Sequence, residues 1–177
     1  MGTVSGAFLV GINAFTAPLI ARNEELKLKS SILDVAEIPY TKEDALAIFD
    51  KNIKTFKVDK FAYYRSPDRA AIFEFHGPGL WGPISGTLSL NADLRTIKKI
   101  RILHQEETPG LGGRIAEENF LKQFRNKEIH PKIVFMPEGK ARANNEVDAI
   151  TGATGSSRAF EKLLNENLEA DLKLIKD

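Results

Sequence analysis

Hydrophobic positions along the chain change their spacing twice, and each change marks a change of element. From Met1 to Ala21 no side chain is charged, and Val4, Ala7, Phe8, Leu9, Val10, Ile12, Phe15, Leu19 and Ile20 make the stretch apolar. A membrane helix needs about 20 such residues, so the run is barely sufficient. Gly6, Gly11, Asn13 and Pro18 interrupt it, and an ordinary buried helix or strand would show the same pattern. From Asn23 to Ala36 the spacing is helical, with Leu26, Leu33, Leu28, Ile32 and Val35 opposite Glu24, Glu25, Lys27 and Lys29, and Pro39 is expected to end it. Thr41 followed three residues later by Asp44 predicts a helix N-terminus, and Ala45, Leu46, Ile48 and Phe49 give that second helix its buried stripe.

The period then shortens to two. Phe61–Tyr64 and Ala70–Phe75 are rich in β-formers, and Ser66-Pro67-Asp68-Arg69 between them turns the chain, so they predict a hairpin. A glycine- and proline-rich loop over residues 76–83 holds the only tryptophan, Trp81. Strands are expected over Ile84–Leu90 and Thr96–Leu103, with a turn at Asn91-Ala92-Asp93. An antiparallel meander results, and a parallel βαβ architecture is disfavoured. Farther on, a helix is expected over Ala116–Arg125 and a short strand over Ile133–Met136. Phe160, Leu163, Leu164, Leu168 and Leu172 predict a final amphipathic helix.

Composition narrows the function classes. With 177 residues the chain suits one domain with a proper core, and its 42% hydrophobic and 28% charged residues exclude general disorder. A net charge of +1 argues against nucleic acid as a partner. Lys51, Lys54, Lys57 and Lys60 recur every three residues, but Asp50 and Asp59 among them make a solvated face the better reading. There is no cysteine, which removes thiolate clusters, disulfides and thiol nucleophiles; redox chemistry here belongs to an organic cofactor. His76, His104 and His130 are scattered, so no metal site is expected. The Gly-x-Ser-x-Gly elbow, the Gly-Lys-Ser/Thr loop and a dinucleotide fingerprint are also absent.

Two stretches carry candidate chemistry. Asp148-Ala149-Ile150-Thr151-Gly152-Ala153-Thr154-Gly155-Ser156-Ser157 sets hydroxyls and glycines just before a helix, as an anion-holding loop does. The same residues also suit a plain helix start near Arg158 capped by Ser156 or Ser157, with the glycines only turning the chain. In Glu107-Thr108-Pro109-Gly110-Leu111-Gly112-Gly113, Pro109-Gly110 fits the centre of a type II turn, while three glycines around one leucine would also let a flat cofactor approach the backbone. Trp81, flanked by Gly79-Leu80 and Gly82, can lie beside a ring or plug a core corner.

The order Asp-x-x-Thr-Gly-Ala-Thr-x-Ser resembles the flavinylation motif of the FMN-binding domain family, found in the G subunit of Rnf complexes and the C subunit of the sodium-pumping NADH:quinone oxidoreductase. Gly79-Leu80-Trp81-Gly82 and Glu107-Thr108-Pro109-Gly110-Leu111-Gly112 resemble two further elements of that family. The resemblance implies FMN bound covalently through its phosphate to Thr154. It implies cofactor contacts from Trp81, Glu107, Thr108, Pro109, Gly110, Leu111 and Gly112, and from Asp148, Thr151, Gly152, Ala153, Gly155 and Ser156. Asp148 would serve the recognition or metal geometry of flavin transfer. No catalytic residue and no metal ligand is expected.

Together these elements make an α+β domain, an antiparallel meander flanked by helices, over residues 22–177. Residues 1–21 would form a short membrane anchor, its N-terminal side open to truncation. The function implied is electron transfer in a membrane-bound ion-translocating oxidoreductase, Rnf-like ahead of the sodium-pumping NADH:quinone oxidoreductase. The partners implied are its other membrane and redox subunits, and a magnesium-dependent flavin transferase during maturation. The flavin domain would lie on the extracytoplasmic side of the cell membrane. The alternative is an anchored, non-catalytic binding domain without flavin.

Overall fold

The computed structural model describes residues 2–58 and 61–175, and side chains from residue 16 onward within those ranges. The apolar positions Val4 to Phe15, together with Asp59 and Lys60, therefore contribute no described side chain. Helix α1 runs unbroken over Gly2–Ala36 with Pro18 inside it, so the expected anchor and the helix after it form one element. Among the described residues no helix is long and apolar enough to cross a membrane. Glu37, at φ 62°, ends α1 in the left-handed conformation two residues before Pro39, and the amide of Ile38 returns to the Leu33 carbonyl.

Helix α2 spans Ala45–Asn52 with Asp44 at its N-cap, three residues later than the start expected at Thr41, and the Asp44 carboxylate accepts from the Thr41 amide at 2.6 Å in the turn before it. The strands β1 (Lys54–Val58), β2 (Phe61–Arg65), β3 (Ala71–Pro78), β4 (Pro83–Leu90) and β5 (Ile97–His104) form one antiparallel sheet in chain order. β1 is not among the expected strands; its lysines and Phe56 are exposed because it is an edge strand. The loop expected over residues 76–83 is shorter, since β3 reaches Pro78 and β4 starts at Pro83, leaving the tight turn 79–82.

Alternation splits the sheet's side chains between two cores. On one face Ile72 and Tyr64 meet Ile32, Leu33, Val35 and Phe49 of α1 and α2. On the other, Phe73, Phe75, Leu88 and Ile100 meet an aromatic cluster of Phe120, Phe124, Phe135 and Phe160. Phe124 and Phe160 are fully buried, each contributing about 2 kcal/mol of transfer free energy.

The helix expected over residues 116–125 is fragmented: a 3-10 turn at Gly112–Ala116, the four-residue α3 at Glu118–Leu121 and another 3-10 turn at Lys122–Phe124. Phe120 and Phe124 still point inward. β6 (Val134–Met136) pairs in parallel with β7 (Glu146–Asp148), a three-residue strand too short to show a period. Helix α4 covers Thr154–Leu172 and packs across β3 through Phe160, Leu163, Leu164 and Leu168.

Candidate functional site

Two loops meet the start of α4, and one carboxylate ties them to it. Glu107 is 3% exposed. Its Oε1 accepts from the amides of Leu80 at 2.7 Å and Trp81 at 3.1 Å, and its Oε2 accepts from Ser156 Oγ at 2.5 Å. A carboxylate suits this junction because it only accepts, and all three neighbours donate. Gln105 adds a fourth link, its Oε1 accepting from the Glu107 amide at 2.6 Å.

The 107–113 loop turns as its residues predict. The Leu111 amide bonds the Thr108 carbonyl at 3.1 Å and Gly110 has φ +73°, the conformation required after Pro109 in a type II turn. Gly112 is where the loop touches α4: a Cβ there would meet Ser156 Oγ, stand 2.8 Å from Ser156 Cβ and 2.9 Å from Glu107 Oε2. A Cβ on Gly155 would stand 2.7 Å from Leu80 Cδ2, and one on Gly152 would lie 3.5 Å from Leu111 Cδ2. Leu80 thus lies against Gly155 and Leu111 near Gly152, on either side of Thr154 in sequence. Leu80 is 52% exposed, Leu111 46% and Trp81 72%, so the Trp81 side chain plugs no core corner.

The helix begins four residues earlier than expected. Thr154 is its first residue and Ala153 precedes it without a side-chain cap. Neither serine caps, because each hydroxyl is used elsewhere: Ser156 on Glu107, and Ser157 Oγ accepting from the Ile150 amide at 3.1 Å. The first turn's amides, those of Thr154, Gly155 and Ser156, precede the first intrahelical bond, that of Ser157 to the Ala153 carbonyl. An exposed threonine hydroxyl therefore stands at the positive end of a 19-residue helix, where an anion gains typically about 0.3–1 kcal/mol.

Other expected site residues face elsewhere. Asp148 Oδ1 accepts from the amides of Ala141 at 2.9 Å and Lys140 at 3.0 Å. The Ala141 amide, with those of Gly139 and Lys140, holds its carboxyl below the usual carboxylate range against the opposing effect of burial. The Thr151 hydroxyl bonds Glu138, and Gly152 turns the chain at φ +79°. Gln123 clamps Asp148 by its backbone, accepting from its amide at 2.9 Å and donating to its carbonyl at 3.4 Å. Glu138 and Gln123 escape sequence reasoning because nothing in their local pattern points to a partner so far along the chain. Leu80 carries a signal only as part of the glycine-flanked turn. Among the described residues no cluster of His, Cys, Asp and Glu could hold a metal ion.

Comparison with known proteins converges on these same loops. Residues 79–169 match the model of the FMN-binding domain. The C subunit of the Na(+)-translocating NADH-quinone reductase of Pasteurella multocida is 36% identical over 91 residues, which cover 49% of this chain and 35% of that protein. The Vibrio anguillarum protein of the same name is 32% identical over 96 residues, covering 51% and 38%. The matched stretch therefore spans well under half the length of these relatives. The crystal structure of the corresponding C subunit from Parabacteroides distasonis superposes with a TM-score of 0.79 at 25% identity, covering 90% of this chain and 96% of that one. Shewanella oneidensis NqrC shares the fold at a TM-score of 0.67 and 18% identity.

Proposed function

Because the chain belongs to the FMN-binding domain family, we propose that it carries FMN on Thr154, through a phosphoester, as an electron-transfer subunit of a membrane-bound ion-translocating oxidoreductase. The observation that carries this reading is the position of one hydroxyl. Thr154 is the exposed first residue of α4, with Leu80 against Gly155 and Leu111 near Gly152, while the other hydroxyls of its motif, Thr151, Ser156 and Ser157, are engaged with protein partners.

The residues fit such a group. The amides of the first turn of α4 would meet the negative charge of the phosphodiester, and the exposed faces of Leu80, Trp81 and Leu111 would cover apolar ring surface. Thr108, Pro109 and Gly110 are exposed beside them. Bound FMN supplies one- and two-electron redox chemistry; the protein supplies its position and electrostatics. Glu107, for which either a cofactor hydroxyl or a backbone amide was the expected partner, bonds the backbone amides of Leu80 and Trp81 and the Ser156 hydroxyl, so its role is positioning. Asp148 shapes the 139–141 loop, so its part in the recognition or metal geometry of flavin transfer would be played through that loop. Threonine does not esterify itself with FMN, so that separate transferase is a required partner.

The relatives from Pasteurella, Vibrio and Parabacteroides are C subunits of the sodium-translocating NADH-quinone reductase, which favours that complex over the Rnf-like one as the setting. In either, residues 1–21 are read as the anchor, residues 22–177 as the flavin domain on the extracytoplasmic side, and the other membrane and redox subunits as partners. Co-expression with a flavin transferase, followed by denaturing electrophoresis under ultraviolet light and intact-mass measurement, tests the bond. A fluorescent band and one added FMN are expected, both abolished by Thr154→Ala while folding is kept. Flavin on another side chain, or none on protein from the native cell, overturns the reading.

A further inference from the structure

A phosphate joined to Thr154 would bring a full negative charge to the start of α4, where the backbone amides offer only partial positive ones. Two carboxylates already stand at the motif, Glu107 on the Ser156 hydroxyl and Glu138 on the Thr151 hydroxyl, so the phosphodiester would be a third anion beside them. A side-chain cation is needed to offset it. Arg114, which lines a cleft with Glu138 and Asp148, is already paired with Glu117 at 3.5 Å. Arg158 is exposed and lies one turn after Thr154 on the same helix.

Residues four apart on a helix share a face, with Cβ atoms about 5–6 Å apart, and long side chains lean back over the preceding turn. For Arg158 that turn begins at Thr154. The other cations of α4 and its C-cap show what such a place ordinarily holds: Lys162 has Glu166 at 3.7 Å and Lys173 has Glu169 at 2.8 Å, each four residues away. Arg158 has no ion pair and no hydrogen bond among the described residues, although Glu161 follows three residues on. In a helical pair the anion is best placed four residues before the cation, and here an uncharged threonine fills that position. The first turn of α4 also lacks the acidic residue that a helix start favours. One anion on Thr154 would meet both wants. A guanidinium suits it, since its parallel N–H groups match the two non-bridging oxygens of a phosphodiester. We propose that Arg158 binds the phosphate of FMN carried on Thr154, donating to those oxygens. This rests on the proposed attachment and adds to it a side-chain ligand for the phosphate.

The test first puts a phosphate on residue 154 without flavin or transferase. The full chain is made with phosphothreonine in place of Thr154, and its phosphate is titrated by phosphorus NMR in the parent and with Arg158→Gln, Arg158→Lys or Lys162→Gln. The second ionisation of such a phosphate lies near pH 6, and a guanidinium beside it favours the dianion and lowers that midpoint. Arg158→Gln should therefore raise the midpoint by about half a unit, and Arg158→Lys should recover part of the difference. Lys162→Gln, two turns from residue 154, should leave it unchanged. Equal midpoints in the parent and Arg158→Gln overturn the proposal. An equal rise with Lys162→Gln also overturns it, in favour of the general field of nearby cations. On protein loaded by the transferase, Arg158→Gln should shift the phosphorus resonance of the diester, and an unmoved resonance overturns the proposal. If intact mass finds no flavin on Thr154 while the phosphothreonine midpoint still responds to Arg158, the attachment fails and FMN is overturned as the ligand. The failure of Arg158 and the failure of the flavin reading are thus distinguishable.

Discussion

Thr154 and Ser156 lie two residues apart in one helical turn, yet they belong to different regions. Ser156 is buried in an inner wall with Glu107 and Gly112, where each donor has an acceptor and the backbones approach so closely that a Cβ would collide. Thr154 stands on an outer rim with Leu80, Trp81 and Leu111, all exposed. The inner wall has the makeup of a core: desolvated, fully paired and intolerant of added volume. The rim has that of a binding surface, with apolar area left uncovered beside one exposed hydroxyl. A single motif therefore divides its work, the serine docking the helix and the threonine presenting its oxygen.

The division breaks most visibly at Glu107. Glu107→Ala leaves the Leu80 and Trp81 amides and the Ser156 hydroxyl without their acceptor, and a loss of about 3 kcal/mol in denaturant unfolding is expected. Glu107→Gln keeps the shape but offers one accepting oxygen, so it should fall between alanine and the parent. Next is Gly112→Ala, expected to lose about 2 kcal/mol through overpacking against Ser156. Gly110→Ala is the comparator two residues away: a Cβ there meets nothing within 4 Å, so only its φ of +73° resists, and about 1 kcal/mol is expected. Equal losses at the two glycines would mean that the wall is looser than its geometry implies.

How much of this can be read from the residues differs between the two regions. The meander is legible because Phe61–Tyr64, Ala70–Phe75 and Ile84–Leu90 carry β-formers between turn residues, a local signal. β1 is not, since an edge strand facing solvent keeps no hydrophobic alternation, and β7 has only three residues. On the rim, the Thr154 assignment comes from the resemblance of its motif to the flavinylation motif, and the structure adds its exposure at the helix start. The inner wall misleads a reader of the sequence: Ser156 resembles a cap because a serine before an amphipathic run usually is one. Its partner Glu107 lies 49 residues away, and no local pattern announces such a contact. Asp148 is likewise assigned by its neighbours in sequence, whereas the amides of Lys140 and Ala141 are its neighbours in space.

The opposite end of α4 offers a milder perturbation of the same helix. Burial pushes the Asp171 carboxyl up to about 7, and it accepts no side-chain hydrogen bond among the described residues. The unfolded value is near 3.9. The folded state thus prefers the protonated form, and the group's contribution to stability declines as pH rises through the window from about 4 to about 7, then levels off. Asp171→Asn should flatten that part of the stability profile and raise the melting temperature at pH 8 but not at pH 4. The rim at the other end, where FMN is proposed to sit, should be unaffected, which a constant flavin content across the two proteins would check.

The smallest effect on stability is expected at Trp81, and it separates the regions most cleanly. Its amide belongs to the inner wall, bonded to Glu107 at 3.1 Å, while its side chain is 72% exposed on the rim. Trp81→Ala keeps the amide and removes only the rim half of the residue, so unfolding free energy should change by less than about 0.5 kcal/mol. If the indole lies against the isoalloxazine of FMN on Thr154, its removal should also brighten the flavin's emission, because an electron-rich ring in contact quenches it. Flavin content measured by absorbance after denaturation should stay the same, since the proposed attachment is through Thr154 and not the indole. A loss of stability above about 1 kcal/mol would instead place the Trp81 side chain in the wall, and an unchanged emission at full flavin content would remove it from the cofactor's surroundings.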